Sequence, residues 1–197
     1  MLTSTTLLTW LSVCALAVAQ EGTTGKLGDA PKVTENPAAA YEVKLEAGDI
    51  KGWAKASSEA GKPVSFEIEI EGLPADKGPF KYHIHQAAVP SDGNCTGTGA
   101  HLDPYERTQV PDCDTPHPET CEVGDLSGKH GLIKEAKASL SFDDAYTSLN
   151  SSNVAFFGDL SFVIHDASGG RILCSNWTLV EPATGGDGDG DDDACDE

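Results

Sequence analysis

The stretch "PVSFEIEIEG" (residues 63–72) alternates without a break: Val64, Phe66, Ile68 and Ile70 fall on one side, and Ser65, Glu67 and Glu69 on the other. Side chains of an extended chain point to opposite faces in turn, so this pattern predicts a half-buried antiparallel strand. Similar runs occur near 41–46, 50–57, 80–86, 137–142, 160–166 and 172–180, punctuated by Gly, Pro, Asn and Asp. No segment carries a sustained 3.6-residue period, and there is no internal repeat. The expectation is an all-β domain, a Greek-key β-barrel or sandwich of seven to eight antiparallel strands with long loops. Residues 87–129 and 143–158 break the rhythm. A loop as long as the first, inside a compact domain, is usually functional.

The ends of the chain read differently. An apolar run from Leu7 to Ala19 closes on the small-x-small pattern Ala17-Val18-Ala19, which predicts a secretory signal peptide over 1–19. It is too short to span a bilayer. Residues 20–39 are polar and rich in Gly, Thr and Pro, and read as a disordered leader. Residues 181–197 carry eight acids and no base, and read as a disordered acidic tail. The domain is therefore placed at 40–180, long enough for one core. The chain has a formal net charge of −19. Such a surface argues against nucleic acid and anionic membranes as partners. A soluble, extracellular, monomeric protein is expected, and attachment to a cell wall is compatible with that. Sequons for glycosylation occur at Asn94, Asn150 and Asn176.

Cys14 leaves with the signal peptide. Cys95, Cys113, Cys121 and Cys174 lie in the domain, where an oxidising compartment lets them pair in three ways. Cys195 is odd and falls in the tail. Of six histidines, His83 and His85 sit two apart in "KYHIH", so both leave one face of a strand while Tyr82 and Ile84 leave the other. His165 ends the run "SFVIH", and His101 lies in the long loop. Four imidazoles without a thiolate suit copper and tolerate zinc. The same spacing also fits histidines scattered over the surface or engaged in hydrogen bonds, and pattern alone does not separate the two.

The runs "KYHIHQAAVPSDGNCTGTGAHLDPY", "CEVGDLSGKHG" and "SFVIHDASGGRILCSNW", in that order over about residues 41–180, resemble the secreted copper-only superoxide dismutases of fungi and oomycetes, relatives of the copper/zinc enzymes. The resemblance implies that His83, His85, His101 and His165 hold one copper per chain. It implies that Arg171 attracts and orients superoxide, and that Cys95 pairs with Cys174, which leaves Cys113 with Cys121. Two-metal relatives carry a zinc histidine three residues before an aspartate. Here "EVGD" places Glu122 and Asp125 at those positions, so zinc is not expected. Glu122 would then hydrogen-bond the nitrogen of His101 that faces away from copper and fix the ring. His117, between two prolines, reads as an exposed loop residue, and His130 as structural or surface.

Only "DASGG" separates His165 from Arg171, so the long electrostatic loop of two-metal enzymes is missing and an open, shallow copper site is expected. The implied activity converts two superoxide radicals and two protons to oxygen and hydrogen peroxide by Cu(II)/Cu(I) cycling, with Arg171, His101 and Glu122 as the working side chains. The alternative is a secreted copper-binding or copper-buffering protein of the same fold without significant catalysis.

Overall fold

The computed structural model describes residues 25–180. The expected signal peptide, the first residues of the expected leader, the acidic tail and Cys195 lie outside that range. Eight strands are present among the described residues: β1 (Ala39–Ala47), β2 (Ile50–Ser58), β3 (Val64–Glu71), β4 (Lys81–His85), β5 (Ala138–Asp144), β6 (Ser161–His165), β7 (Arg171–Asn176) and β8 (Thr178–Leu179). One sheet runs β5-β3-β2-β1-β8 and the other β4-β6-β7, with every pairing antiparallel. The fold is the all-β Greek-key sandwich that the alternating runs predict.

The alternation works as strand physics requires. Val64, Phe66, Ile68 and Ile70 of β3 are all buried, and their neighbours face outward. Each such side chain contributes about 1.5–3 kcal/mol when fully buried. Phe66 stacks on Phe142 and Phe157 at 5.4 and 5.6 Å between ring centroids, and Trp177 meets Phe162 edge-on at 5.7 Å. Trp177 also divides the last predicted strand. The chain leaves the small sheet after Asn176, buries the indole, and joins the large sheet as β8 beside β1.

β4 and β6 differ from β3 because both of their faces are covered. Tyr82, Ile84, Phe162 and Ile164 fill the space between the sheets. His83, His85 and His165 point the other way, and the long segment 87–129 closes over them. A short helix, α1 (Leu126–His130), ends that covering. Its N-cap is Asp125, whose carboxylate accepts from the Gly128 amide at 2.8 Å.

Residues 25–38 depart from the expected disordered leader. Ala30, Val33 and Asn36 are buried. The amides of Leu27, Ala30 and Val33 donate to the carbonyls of Tyr105, Glu119 and Ala145. The Asn36 side chain donates to Lys62 O and accepts from the Leu149 amide. The polar composition of this segment conceals its order, because backbone hydrogen bonds to two long loops hold it in place rather than an apolar stripe. The packed body therefore starts before residue 40.

Candidate metal centre

His83 and His85 are delivered by β4, and His165 by the end of β6, where the register slips between Ile164 and His165. His101 reaches them through backbone pairing. Gln86 N donates to Ala100 O and Leu102 N donates to Ile84 O, so the loop lies beside β4 with His101 next to His85. The "EVGD" segment docks on the same strand. Ile84 N donates to Gly124 O, and Gly124 N donates to Leu102 O. A Cβ on Gly124 would collide with Ile84 O, so only glycine permits this approach.

The four histidines each offer one nitrogen to a group whose members all lie within 4.8 Å of one another, and all four residues are buried. Their other nitrogens are occupied, which decides where the protons sit. His85 Nδ1 lies 3.0 Å from Gly99 O and 3.0 Å from Thr98 Oγ1, and His165 Nδ1 lies 3.1 Å from Gly169 O. A carbonyl only accepts, so both Nδ1 atoms carry the proton and both Nε2 atoms carry bare lone pairs. Those two Nε2 atoms face each other at 3.1 Å. His83 Nε2 contacts Ser127 Oγ at 3.1 Å and the Asp125 carboxylate at 3.3 Å, and its buried Nδ1 has no partner. His101 Nδ1 meets Glu122 Oε2 at 2.5 Å. Three Nε2 atoms and one Nδ1 thus remain as lone-pair bearers within the cluster, and the buried Nδ1 of His83 has no partner. A cation satisfies them all at once.

Electrostatics keeps those lone pairs available. Burial lowers His83 to about 4 and His85 to about 3, and also lowers His165, with the neighbouring imidazoles adding to the effect. All three rings are neutral at pH 7. Burial alone would raise Asp125, but the His83 hydrogen bond and the Gly128 amide outweigh it and hold the carboxyl at about 2. His83 therefore donates to a carboxylate from Nε2, much as histidines at metal sites use their outer nitrogen.

Arg171 and Lys81 stand at the edge of the cleft of about 210 Å³ into which the four histidines open. The Arg171 guanidinium also ties down the loop beneath it. Its Nη1 donates to Cys95 O, Thr96 O and Thr98 Oγ1 at 2.6, 3.0 and 3.2 Å, and its Nη2 to Gly99 O at 2.6 Å. The Cys95–Cys174 disulfide fastens the same loop to β7, and Cys113–Cys121 closes a small loop just before Glu122. His117 is half exposed beside Glu119, away from the cluster. His130 stacks on Phe142 and bonds the buried Asp144 carboxylate at 2.8 Å.

Several contributors escape sequence reasoning. The Gly99 and Gly169 carbonyls leave no residue-type signal. Ser127 and the capping role of Asp125 could be read from the Asp-x-x-Gly pattern opening α1. Buried Arg107 donates to the carbonyls of Thr120, Thr108, Pro111 and Asp112, and so clamps the loop that carries Cys113. Asp125 pairs with His83 rather than with His101, a contact set by the docking of Gly124.

Residues 50–176 match the family model for copper/zinc superoxide dismutase (SODC). The cell surface Cu-only superoxide dismutase 5 of Candida albicans is 38% identical over 163 residues, spanning 80% of this chain and 69% of that protein. The cell surface Cu-only superoxide dismutase of Arthroderma benhamiae is 37% identical over 186 residues, spanning 78% and 50%. The solved Cu(II) structure of the Candida albicans protein superposes with a TM-score of 0.68 at 37% identity, covering 76% of this chain and 97% of that one. With the match extending over most of the sandwich and the loop that carries His101, the chain belongs to the copper/zinc superoxide dismutase family.

Proposed function

We propose that this protein is an extracellular copper-only superoxide dismutase, acting on superoxide as a monomer and without a nucleic acid or membrane partner. The single observation that carries the reading is the pair of Nε2 lone pairs of His85 and His165 at 3.1 Å, flanked by the orphaned Nδ1 of His83. Four imidazole nitrogen donors suit copper over harder cations. His83, His85, His101 and His165 would hold the ion.

Bound copper supplies one-electron redox chemistry, which the conversion of two superoxide ions and two protons into dioxygen and hydrogen peroxide requires. The chain's own residues do the rest. Gly99 O, Thr98 and Gly169 O orient His85 and His165. Asp125 orients His83 through Nε2. Glu122 holds a proton on His101 Nδ1 at 2.5 Å and fills the side of that ring on which two-metal enzymes place zinc. Arg171 supplies positive charge beside the open cleft for an anionic substrate. No helix among the described residues is long and apolar enough to cross a membrane. The named relatives are cell surface proteins, which supports an extracellular site of action.

The test is metal analysis of the copper-loaded protein together with superoxide disproportionation against an equal amount of free copper. One copper per chain, no tightly held zinc, and activity well above free copper are expected. Stoichiometric zinc would overturn the copper-only reading. Activity no greater than that of the free ion would favour copper buffering instead.

A further inference from the structure

We propose that Lys81 steers the substrate anion into the copper cleft, adding a second positive charge to that of Arg171. This rests on the dismutase reading. Lys81 opens β4, and alternation puts it on the same face as His83 and His85. Across the sheet it stands opposite His165. Two residues of strand advance about 7 Å, so its ammonium can hang over the four histidines from the exposed end of the strand. Among the described residues no carboxylate lies within salt-bridge distance of it, so its charge is not spent on an ion pair.

The lining of the clefts gives this charge a direction. The cleft that all four histidines share also holds Lys81, Arg171 and Gln109, and no carboxylate lines it. The adjoining cleft of about 500 Å³, on the far side of His83 and His101, is lined by Asp112, Glu122 and Asp125. Lys81 stands where the two meet. In a chain of formal net charge −19, the cation-lined cleft is the route an anion can take. Arg171 spends several of its donors on the Cys95–Gly99 loop, whereas the Lys81 ammonium has no hydrogen-bond or ion-pair partner among the described residues and can meet a diffusing ion. Its tip is an ammonium on a flexible stem, suited to attraction over distance rather than to fixed geometry.

The experiment compares copper-loaded wild type with Lys81→Gln, Lys81→Glu and Lys81→Arg. It follows superoxide disproportionation across ionic strength and, separately, azide binding by visible absorption. One charge lost about 7–10 Å from the site lowers the second-order rate about two- to three-fold at low salt, and charge reversal about four- to eight-fold. These differences shrink at high salt, as screening over about 3 Å at 1 M requires. The dissociation constant for azide rises in the same order, Lys81→Arg restores the salt slope, and the Cu(II) electron paramagnetic resonance spectrum stays unchanged. Rates and azide affinities of Lys81→Gln and Lys81→Glu equal to wild type at low salt would overturn the proposal. Stoichiometric copper without activity, but with Lys81-dependent azide affinity, would sink the dismutase reading and keep the anion-steering role.

Discussion

Replacing Cys95 and Cys174 together by alanine opens a loop with a sequence separation of 79, whereas replacing Cys113 and Cys121 opens one of only 8. Closing a loop in the unfolded chain removes entropy that grows with the logarithm of its length. The chain-entropy relation gives about 4.5 kcal/mol for the long link and about 2.6 kcal/mol for the short one. The long link should therefore stabilise the fold by about 2 kcal/mol more. Against the total of about 5–15 kcal/mol typical of a domain, its loss brings the apo protein close to its threshold. Urea unfolding followed by fluorescence of buried Trp177 reads both values through the midpoint shift at a common slope. A copper readout accompanies it. The long link fixes the turn at Cys95–Thr98, which leads into the Thr98 hydroxyl and Gly99 carbonyl that hold His85 Nδ1. Loosening those supports should weaken copper binding about 10- to 100-fold, measured by competition with a chelator. Equal losses of stability in the two variants would refute the loop-closure reasoning, and undiminished copper affinity in Cys95→Ala/Cys174→Ala would refute the supporting role of that loop.

Other perturbations separate the remaining parts of the site. Glu122→Gln keeps an acceptor for His101 Nδ1 and should lose little copper affinity, whereas Glu122→Ala orphans that nitrogen and should lose about 10- to 100-fold; identical affinities would reject the role of the carboxylate. Asp144 accepts from Lys129 Nζ, His130 Nε2 and the amides of Tyr146 and Thr147, so Asp144→Asn should cost about 3–5 kcal/mol in urea unfolding. Burial alone would raise the Asp144 carboxyl, but the charge of Lys129 and the hydrogen bonds from His130 and Lys129 hold it well below the usual range. Its stabilising contribution is then complete above the unfolded value of about 3.9 and is lost as pH falls below it. The gap between wild type and Asp144→Asn should accordingly narrow on acidification below about pH 4, and a gap independent of pH would contradict the assignment. Arg171→Ala should slow turnover, flatten its salt dependence and also lower stability by about 1–2 kcal/mol through the freed loop carbonyls. Arg171→Lys should restore the salt dependence but not the stability, and equal behaviour of the two variants in both assays would reject the double role.

The strands could be read from the chain because the constraint that shapes them is local. A half-buried strand must alternate, so Val64 to Glu71 announce both their conformation and their buried face. The same rule puts His83, His85 and Lys81 on one side of β4, although the lysine is easily passed over because nothing in its residue type marks a site. The rule cannot say that this side is covered, since β4 and β6 are buried on both faces by a segment with little period of its own. Residues 25–38 were equally illegible, because backbone amides seeking loop carbonyls leave no trace in composition.

By itself, then, the sequence determined an all-β sandwich and a short set of histidines able to bind a metal, because alternation and residue chemistry act over two or three positions. Tertiary structure alone decided which nitrogens of those rings are bare. That depends on Gly99 O, Gly169 O, Asp125 and Glu122 arriving from elsewhere in the chain to occupy the others. It also decided that Asp125 serves His83 and Glu122 serves His101, because Gly124 rests on the backbone of β4 between them. Proton placement follows from contacts among residues far apart in the chain, and no local pattern encodes such contacts.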